Sequence, residues 1–165
     1  LLLKEIFSAI KAYDKRIMFG ISPAGNISNN QEGYLCADVK TWCSTPGYVD
    51  YIAPQVYWSF SHSASYAKFD NCTESWADLV TCGAVRLIIG MALSNAINPS
   101  YSSTDPDWYN RKDNIKRMLE YTKAHEKCTG WIMFAFESLY NIPSGTYNSK
   151  TEAERVNFLP LVATW

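Results

Sequence analysis

Four near-continuous apolar runs constrain the fold of this chain more than any other feature. They are rich in β-branched and aromatic residues and span residues 16–22, 48–58, 85–93 and 130–136. None alternates strictly between apolar and polar side chains, which is typical of parallel strands covered on both faces. The runs begin near residues 17, 49, 86 and 130, so their starts are 32, 37 and 44 residues apart. Each interval is long enough for a βα unit, which needs roughly thirty residues or more.

Helical periodicity occupies the intervals between these runs. Apolar residues recur three and four positions apart within 3–10, 39–43, 76–83 and 115–122, and a last helix is predicted over 151–161. We therefore predict an α/β fold with four consecutive βα units, parallel strands and one domain over residues 1–165. A closed (β/α)₈ barrel has eight strands and about 250 residues. The chain is then either a small open doubly wound sheet or half of a barrel.

Composition and motifs exclude several functional classes. With 15 basic and 16 acidic residues, the net charge of -1 favours neither nucleic acid nor anionic lipid as a partner. No apolar run approaches the ~18 residues of a membrane span. Phosphate-binding glycine loops and a serine nucleophile elbow do not occur. Five scattered cysteines and two histidines, without a C-x-x-C motif, predict free, mostly buried thiols, no metal site and no cofactor.

The segments that follow the four runs carry the candidate site. They span residues 22–34, 59–66, 94–107 and 137–150 and are rich in Ser, Asn, Pro and Tyr. Loops after parallel strands line the active face of α/β folds. An aromatic ring can pack on the apolar face of a pyranose, and an amide can both donate to and accept from its hydroxyls. The candidate sugar-binding residues at the strand ends are Ser22, Gln55, Tyr57, Trp58 and Asn95.

Tyr57 and Trp58 are consecutive, so they cannot both face the ligand. The alternative is that they form a core aromatic pair. Within the same run, Pro54 removes a backbone donor and predicts an irregularity just before Gln55.

Two carboxylates are candidates for acid–base chemistry. Glycosidic hydrolysis usually needs a pair, about 5–5.5 Å apart for retention or about 6.5–9.5 Å for inversion. Glu137 follows the fourth strand, and Asp38 begins the helix after the first strand, where it could instead stabilise the helix N-terminus. Asp50 enters the second strand at the opposite end, and Asp105 is placed as a loop or N-cap residue. These carboxylates do not make a convincing pair, so we expect the main catalytic acids to lie outside this chain.

Five ordered blocks, at residues 19–26, 37–42, 49–58, 87–92 and 130–134, carry a family resemblance. The most specific is the run D-Y-I-A-P-Q-V-Y-W from Asp50 to Trp58. Through these blocks the chain resembles the bacterial glycosyl hydrolase-like family ten. The resemblance implies a (β/α)₈ barrel of which this chain is strands five to eight. It also implies a secreted or envelope-anchored bacterial protein that hydrolyses glycans, with cell-wall glycan strands as the substrate.

The positions that the resemblance carries over as site residues are Ser22, Asn26, Asp38, Gln55, Tyr57 and Trp58. Three readings remain open: the C-terminal half of a glycoside hydrolase barrel, inactive alone; a non-catalytic carbohydrate-binding module; and a self-contained flavodoxin-like sheet. The start of the chain, residues 1–5, has no initiator methionine and reads as the middle of a helix, so we expect a piece of something longer. A half barrel would leave open edges and an uncovered inner face. It therefore predicts a partner, either the N-terminal half of the barrel or a second copy.

Overall fold

Four parallel strands form one sheet in the order β1-β2-β3-β4. The structure, a computed structural model, describes residues 2–31, 33, 35–97, 101–141, 145 and 147–165, and only the backbone of 101 and 102. The strands are β1 Gly20–Ile21, β2 Tyr51–Ile52, β3 Arg86–Ala92 and β4 Cys128–Phe134. Each falls within or overlaps one of the predicted runs, which confirms the α/β class and the four parallel strands.

Helices connect the strands and extend past them. In chain order they are α1 Leu2–Tyr13, α2 Ile27–Gln31, α3 Val39–Ser44, α4 Phe69–Leu79, α5 Tyr101–Thr104, α6 Pro106–Asn110, α7 Asn114–Ala124, α8 Phe136–Leu139 and α9 Ser149–Val162, with 3₁₀ turns at Ser65–Ala67 and Leu93–Ile97. The predicted helices are confirmed as α1, α3, α4, α7 and α9. The short helices α2 and α5 lie in segments predicted as loops, α6 begins in one, and α8 begins at the predicted end of the fourth strand. Parts of those segments, residues 32, 34, 98–100, 142–144 and 146, lie outside the described residues.

The second strand is shorter than its eleven-residue apolar run because proline interrupts its pairing. The amides of Ala53 and Gln55 donate toward β1, to Ile21 O at 2.8 Å and to Pro23 O at 3.0 Å. The nitrogen of Pro54 therefore faces β3, where it has no hydrogen to donate. Pairing resumes through single bridges from Gln55 to Ala24 and to Gly90. This matches the irregularity that Pro54 predicts.

The two faces of the sheet differ in burial. Helices cover one face, where Ile52, Leu87, Ile89 and Met91 are fully buried. On the other face, Ile132 and Phe134 of β4 are 44% and 54% exposed. The prediction that every strand is covered on both faces is therefore wrong at β4. The physical reason is the sequential strand order, since right-handed crossovers between successive parallel strands carry the helices over the same face.

The strand order also bears on the doubly wound alternative. A doubly wound sheet reverses its strand order at a switch point, which places helices on both faces. The order β1-β2-β3-β4 contains no reversal. The described sheet is therefore compatible with half of a barrel.

Long-range polar contacts tie the helices to one another and to the sheet. At the N-terminal end of the strands, the Asp50 carboxylate accepts from Phe19 N at 2.7 Å and pairs with Lys11 Nζ at 2.7 Å. The carboxylate of Glu154, on α9 and almost fully buried, accepts from the backbone N–H groups of Asn114 and Ile115, both at 3.1 Å. Glu154 therefore caps α7 from another helix, and its burial raises the pKa of the carboxyl.

The cysteines are free thiols. Cys43 and Cys72 are buried, and burial raises the pKa of each to about 12. Cys82 and Cys128 are partly buried and Cys36 is exposed, so the prediction of mostly buried thiols is confirmed only at Cys43 and Cys72. Within the described ranges, no helix is long and apolar enough to cross a bilayer.

Candidate functional site

Two pockets meet at the C-terminal ends of the strands. The first has a volume of about 440 Å³, lies on the uncovered sheet face, and is lined by Ser22, Ala53, Gln55, Tyr57, Gly90, Ile132, Met133 and Phe134. The second has a volume of about 430 Å³, lies beside β1, and is lined by Ile21, Ser22, Pro23, Ala24, Asn30, Leu35, Ala37, Trp42 and Gln55. Because Ser22 and Gln55 line both, the two pockets adjoin each other, and together we call them the strand-end groove.

Gln55 lies at the junction of the two pockets. Its side-chain Nε2 donates to the backbone oxygen of Ser22 at 3.2 Å, and its backbone bridges Ala24 and Gly90. A Cβ added to Gly90 would lie 2.8 Å from the oxygen of Pro54, so only glycine allows this close strand approach. The hydrogen bond to Ser22 holds the side-chain amide of Gln55 in the groove, where its Oε1 can accept from a ligand hydroxyl.

Tyr57 and Phe134 form an aromatic wall of the groove. Their ring centroids are 6.0 Å apart and the rings are nearly parallel, at 19°. Partial burial raises the pKa of the Tyr57 hydroxyl, so it remains a hydrogen-bond donor at neutral pH. The side-chain amide of Asn95 donates to the backbone oxygen of Tyr57. Asn95 therefore positions the strand end that carries the wall.

Trp58 faces the helix-covered side of the sheet. Its ring packs against the core and lies 6.0 Å from the imidazole of His62. A Cβ added to Gly25 would lie 2.8 Å from the Trp58 ring, so a glycine is needed for this packing. Of the consecutive pair, the structure thus places Tyr57 in the groove and the partly buried Trp58 against the core, so the two side chains point to different sides although β2 ends at Ile52.

Asn26 lies outside the strand-end groove. Its side-chain oxygen accepts from Ser28 N at 3.0 Å at the start of α2. It lines a separate pocket of about 160 Å³ together with Tyr66 and Cys72. The structure therefore separates Asn26 from Gln55 and Tyr57.

The two candidate carboxylates are also placed apart from the groove lining. Asp38 is the N-cap of α3, where it accepts from Thr41 N at 3.2 Å, and this hydrogen bonding lowers the pKa of its carboxyl. A carboxylate with a lowered pKa is ionised at neutral pH and unsuited to donating a proton. Glu137 lies in α8, three residues after β4 ends. Among the described residues that line the two pockets, none is a carboxylate.

Sequence reasoning missed the role of Asp105. It occupies the N-cap position of α6 but makes no cap bond there, and it is fully buried. Instead its carboxylate accepts from Ser59 N at 2.8 Å and from Ser59 Oγ. Burial raises the pKa of the carboxyl, while the bonds from Ser59 act to lower it. The only sequence signal for this contact was the serine-rich segment after the second strand.

A second set of bonds reinforces this contact. Ser63 N donates to Thr104 O at 2.7 Å, and Asp107 N donates to Ser61 Oγ at 3.0 Å. Together with the Asp105–Ser59 bonds they form what we call the loop clamp. The loop clamp fixes the segment that directly follows Tyr57 and Trp58.

Comparison with known proteins places the chain in a family. The sequence profile described as "Glycosyl hydrolase-like 10" matches residues 1–110, about two thirds of the chain. The chain belongs to the glycosyl hydrolase-like 10 family. The family resemblance of the sequence blocks is thereby confirmed, and the matched region includes Ser22, Gln55 and Tyr57.

Two relatives illustrate the extent of the similarity to known proteins. The chain is 33% identical over 148 residues to "Glycosyl hydrolase DigH" of Escherichia coli (strain K12), which covers 81% of this chain and 33% of that protein. It is 34% identical over 165 residues to "Glycosyl hydrolase YngK" of Bacillus subtilis (strain 168), which covers 90% of this chain and 30% of that protein. The chain thus spans about a third of the length of these relatives.

Proposed function

We propose that this chain forms strands five to eight of a (β/α)₈ barrel and supplies glycan-binding groups to a glycoside hydrolase acting on bacterial cell-wall or related polysaccharide. The observation that carries the proposal is the strand-end groove. It lies at the C-terminal ends of parallel strands, where barrel enzymes hold their substrates. Relatives named glycosyl hydrolases support the reaction class.

The chemistry of the groove supports a sugar ligand. The Tyr57–Phe134 wall offers a flat apolar surface to the C–H face of a pyranose. Gln55, beside it, can donate to and accept from hydroxyl groups. A combination of aromatic faces and neutral amides suits a neutral polyol better than a phosphate or a metal complex.

The uncovered sheet face supports the barrel. Ile132 and Phe134 are exposed on it, and β1 and β4 are the outermost strands of the described sheet. A barrel would cover that face and pair both edges. We propose the N-terminal half of the barrel as the partner, since the relatives are about three times as long as this chain. A second copy of the chain is the alternative partner.

The groove lining also bears on catalysis. Because its described residues include no carboxylate, we propose that the main catalytic acids come from the N-terminal half and that the 165-residue chain alone is inactive. The same observation favours the second candidate function, a non-catalytic carbohydrate-binding module. Location outside the cytoplasm or in the bacterial envelope stays a prediction from the family.

The first experiment measures reducing-end release from peptide-free peptidoglycan strands. It compares the 165-residue chain with the longest gene product that carries it. Release by the longer protein alone supports the proposal. Binding by both proteins with release by neither favours the binding module. Release by the chain alone contradicts the proposal and directs attention to Asp38→Asn and Glu137→Gln.

A second experiment tests the groove itself. Gln55→Ala in the longer protein removes the amide, and a hydrogen bond to a ligand contributes about 0.5–1.5 kcal/mol, or about two- to tenfold in affinity. We expect that loss in titration calorimetry with an unchanged melting temperature. Asn110→Ala, an exposed amide on α6, is the matched control and should bind normally. A sharp fall in melting temperature would make Gln55 structural, and unchanged binding would remove it from the site.

A further inference from the structure

A second aromatic pair lies on the surface just beyond the groove. Phe136 begins α8 and Tyr140 directly follows this helix; they are 62% and 47% exposed, and their ring centroids are 4.9 Å apart with an interplanar angle of 37°. The backbone N–H of Tyr140 donates to the oxygen of Phe136 at 3.3 Å, so this single turn brings the two rings together. Two large aromatic rings, tilted against each other and open to solvent, form an apolar surface outside the hydrophobic core.

The base of α8 holds these rings outward. Ser138 is buried, and Leu139 packs against the hydrophobic core. The backbone of Tyr147 donates to the oxygen of Glu137 at 3.1 Å, which ties the turn to the segment before α9. The helix therefore cannot rotate to bury Phe136 and Tyr140 without exposing its anchored side.

A polar rim borders the pair. The guanidinium of Arg155 lies 5.9 Å from the Tyr140 ring centroid and donates to the carboxylate of Glu152 at 2.7 and 3.2 Å. The hydroxyl of Tyr147 donates to the same carboxylate at 2.8 Å. An aromatic face beside fixed charged groups resembles a sugar subsite, because a pyranose has an apolar face and a rim of hydroxyls.

The pair closely follows the aromatic wall of the groove along the chain. Phe134 closes the first pocket against Tyr57, and Phe136 follows it by two residues. Two residues of chain span at most about 7 Å between Cα atoms. A polysaccharide that runs along the groove past Phe134 would next meet the Phe136–Tyr140 pair.

We propose that Phe136 and Tyr140 form an outer sugar-binding platform, which stacks on a further pyranose unit of the glycan held in the strand-end groove. This inference rests on the proposed function and adds the location of a second contact. It predicts that the chain prefers long glycans to short ones. The platform contributes only when the ligand is long enough to occupy both places.

The test is the dependence of affinity on ligand length. We would measure binding of N-acetylglucosamine dimer, tetramer and hexamer to the longest gene product that carries the chain, at a temperature without detectable turnover. The double variant Phe136→Ala/Tyr140→Ala should bind the hexamer about tenfold more weakly and the dimer unchanged. The conservative double variant Phe136→Tyr/Tyr140→Phe should keep hexamer affinity. Tyr13→Ala, 87% exposed on α1 at the other end of the strands, is the control and should match wild type.

Three outcomes would overturn the platform. Equal weakening for dimer and hexamer would indicate a general disturbance of the groove. Unchanged hexamer binding with a lowered melting temperature would mean that another part of the protein covers the pair. Wild-type protein that binds none of the three oligosaccharides would refute the proposed function together with the platform, whereas loss confined to the platform leaves the proposed function intact.

Discussion

The loop clamp makes a specific prediction, because two substitutions of the same buried carboxylate should differ in their effect on stability. Asp105→Leu removes the acceptor for the buried backbone N–H of Ser59. A buried donor left without a partner costs about 1–3 kcal/mol. The Ser59 hydroxyl keeps a partner, since Ser61 Oγ lies 3.3 Å away. For a chain of this size that loss lowers the melting temperature by about 2–12 °C.

Asp105→Asn should be nearly neutral. The asparagine oxygen can accept from Ser59 N, its amide can donate to Ser59 Oγ, and the Ser59 hydroxyl hydrogen can turn to Ser61 Oγ. The N–H and hydroxyl of Ser59 keep their partners, and the buried negative charge is removed; the second N–H of the new amide is the one added donor that these contacts leave unpaired. We therefore expect Asp105→Asn to melt within a few degrees of wild type near neutral pH.

The pH dependence of the same variant has a definite sign. Burial raises the pKa of Asp105 above its usual 3.8, so the folded chain holds this proton more tightly than the unfolded chain. Ionisation of Asp105 therefore lowers the free energy of unfolding as pH rises from about 3.8 through the raised pKa. Asparagine carries no such proton. The stability of Asp105→Asn relative to wild type should accordingly increase across that pH window.

Thermal melts followed by circular dichroism, at several pH values between about 3.5 and 7, test both statements. Asp78→Leu and Asp78→Asn, at an exposed position on α4, are matched controls with little expected effect. If Asp105→Asn loses as much stability as Asp105→Leu, the hydrogen-bond reasoning is wrong. If the difference from wild type does not grow with pH, the burial reasoning is wrong.

Two further predictions concern stability and thiol reactivity. Glu154→Leu should lower the free energy of unfolding by about 3–5 kcal/mol in urea titrations, because it removes the acceptor shared by two backbone donors of α7 and the side-chain amide of Asn114. Glu120→Leu, at an exposed position on α7, is the control and should change the free energy of unfolding little. A small effect of Glu154→Leu would refute the role of Glu154 as a cap of α7. With a coloured thiol reagent under native conditions, Cys36 should react quickly, whereas Cys72, buried and with a pKa raised to about 12, should react only on unfolding.

Much of the fold was predictable because the signals are local. Apolar runs and helical spacing report secondary structure within a window of a few residues, so all four strands and the main helices could be placed. The interruption near Gln55 was predictable for the same reason, since Pro54 lacks a backbone hydrogen wherever it lies. The strand-end position of Gln55 and Tyr57 followed from the parallel βα order.

The short helices and the Phe136–Tyr140 surface pair were harder to predict from the sequence. Segments rich in Ser, Asn and Pro predict loops, and a four-residue helix has too little periodicity to be recognised. Phe136 had the pattern of a strand end, and its stacking with Tyr140 depends on the turn that follows β4. The exposure of both rings depends on how α8 is anchored.

By itself, then, the sequence determined the α/β class, the positions of the strands and the family to which the chain belongs. Only the tertiary structure decided that Tyr57 faces the groove while Trp58 faces the core, and that one sheet face is left uncovered at β4. It also decided the partners of the two buried carboxylates, since Asp105 meets Ser59 across 46 residues and Glu154 meets Asn114 across 40. Such contacts join residues far apart in the chain, and no local pattern encodes which distant group a buried acceptor will meet.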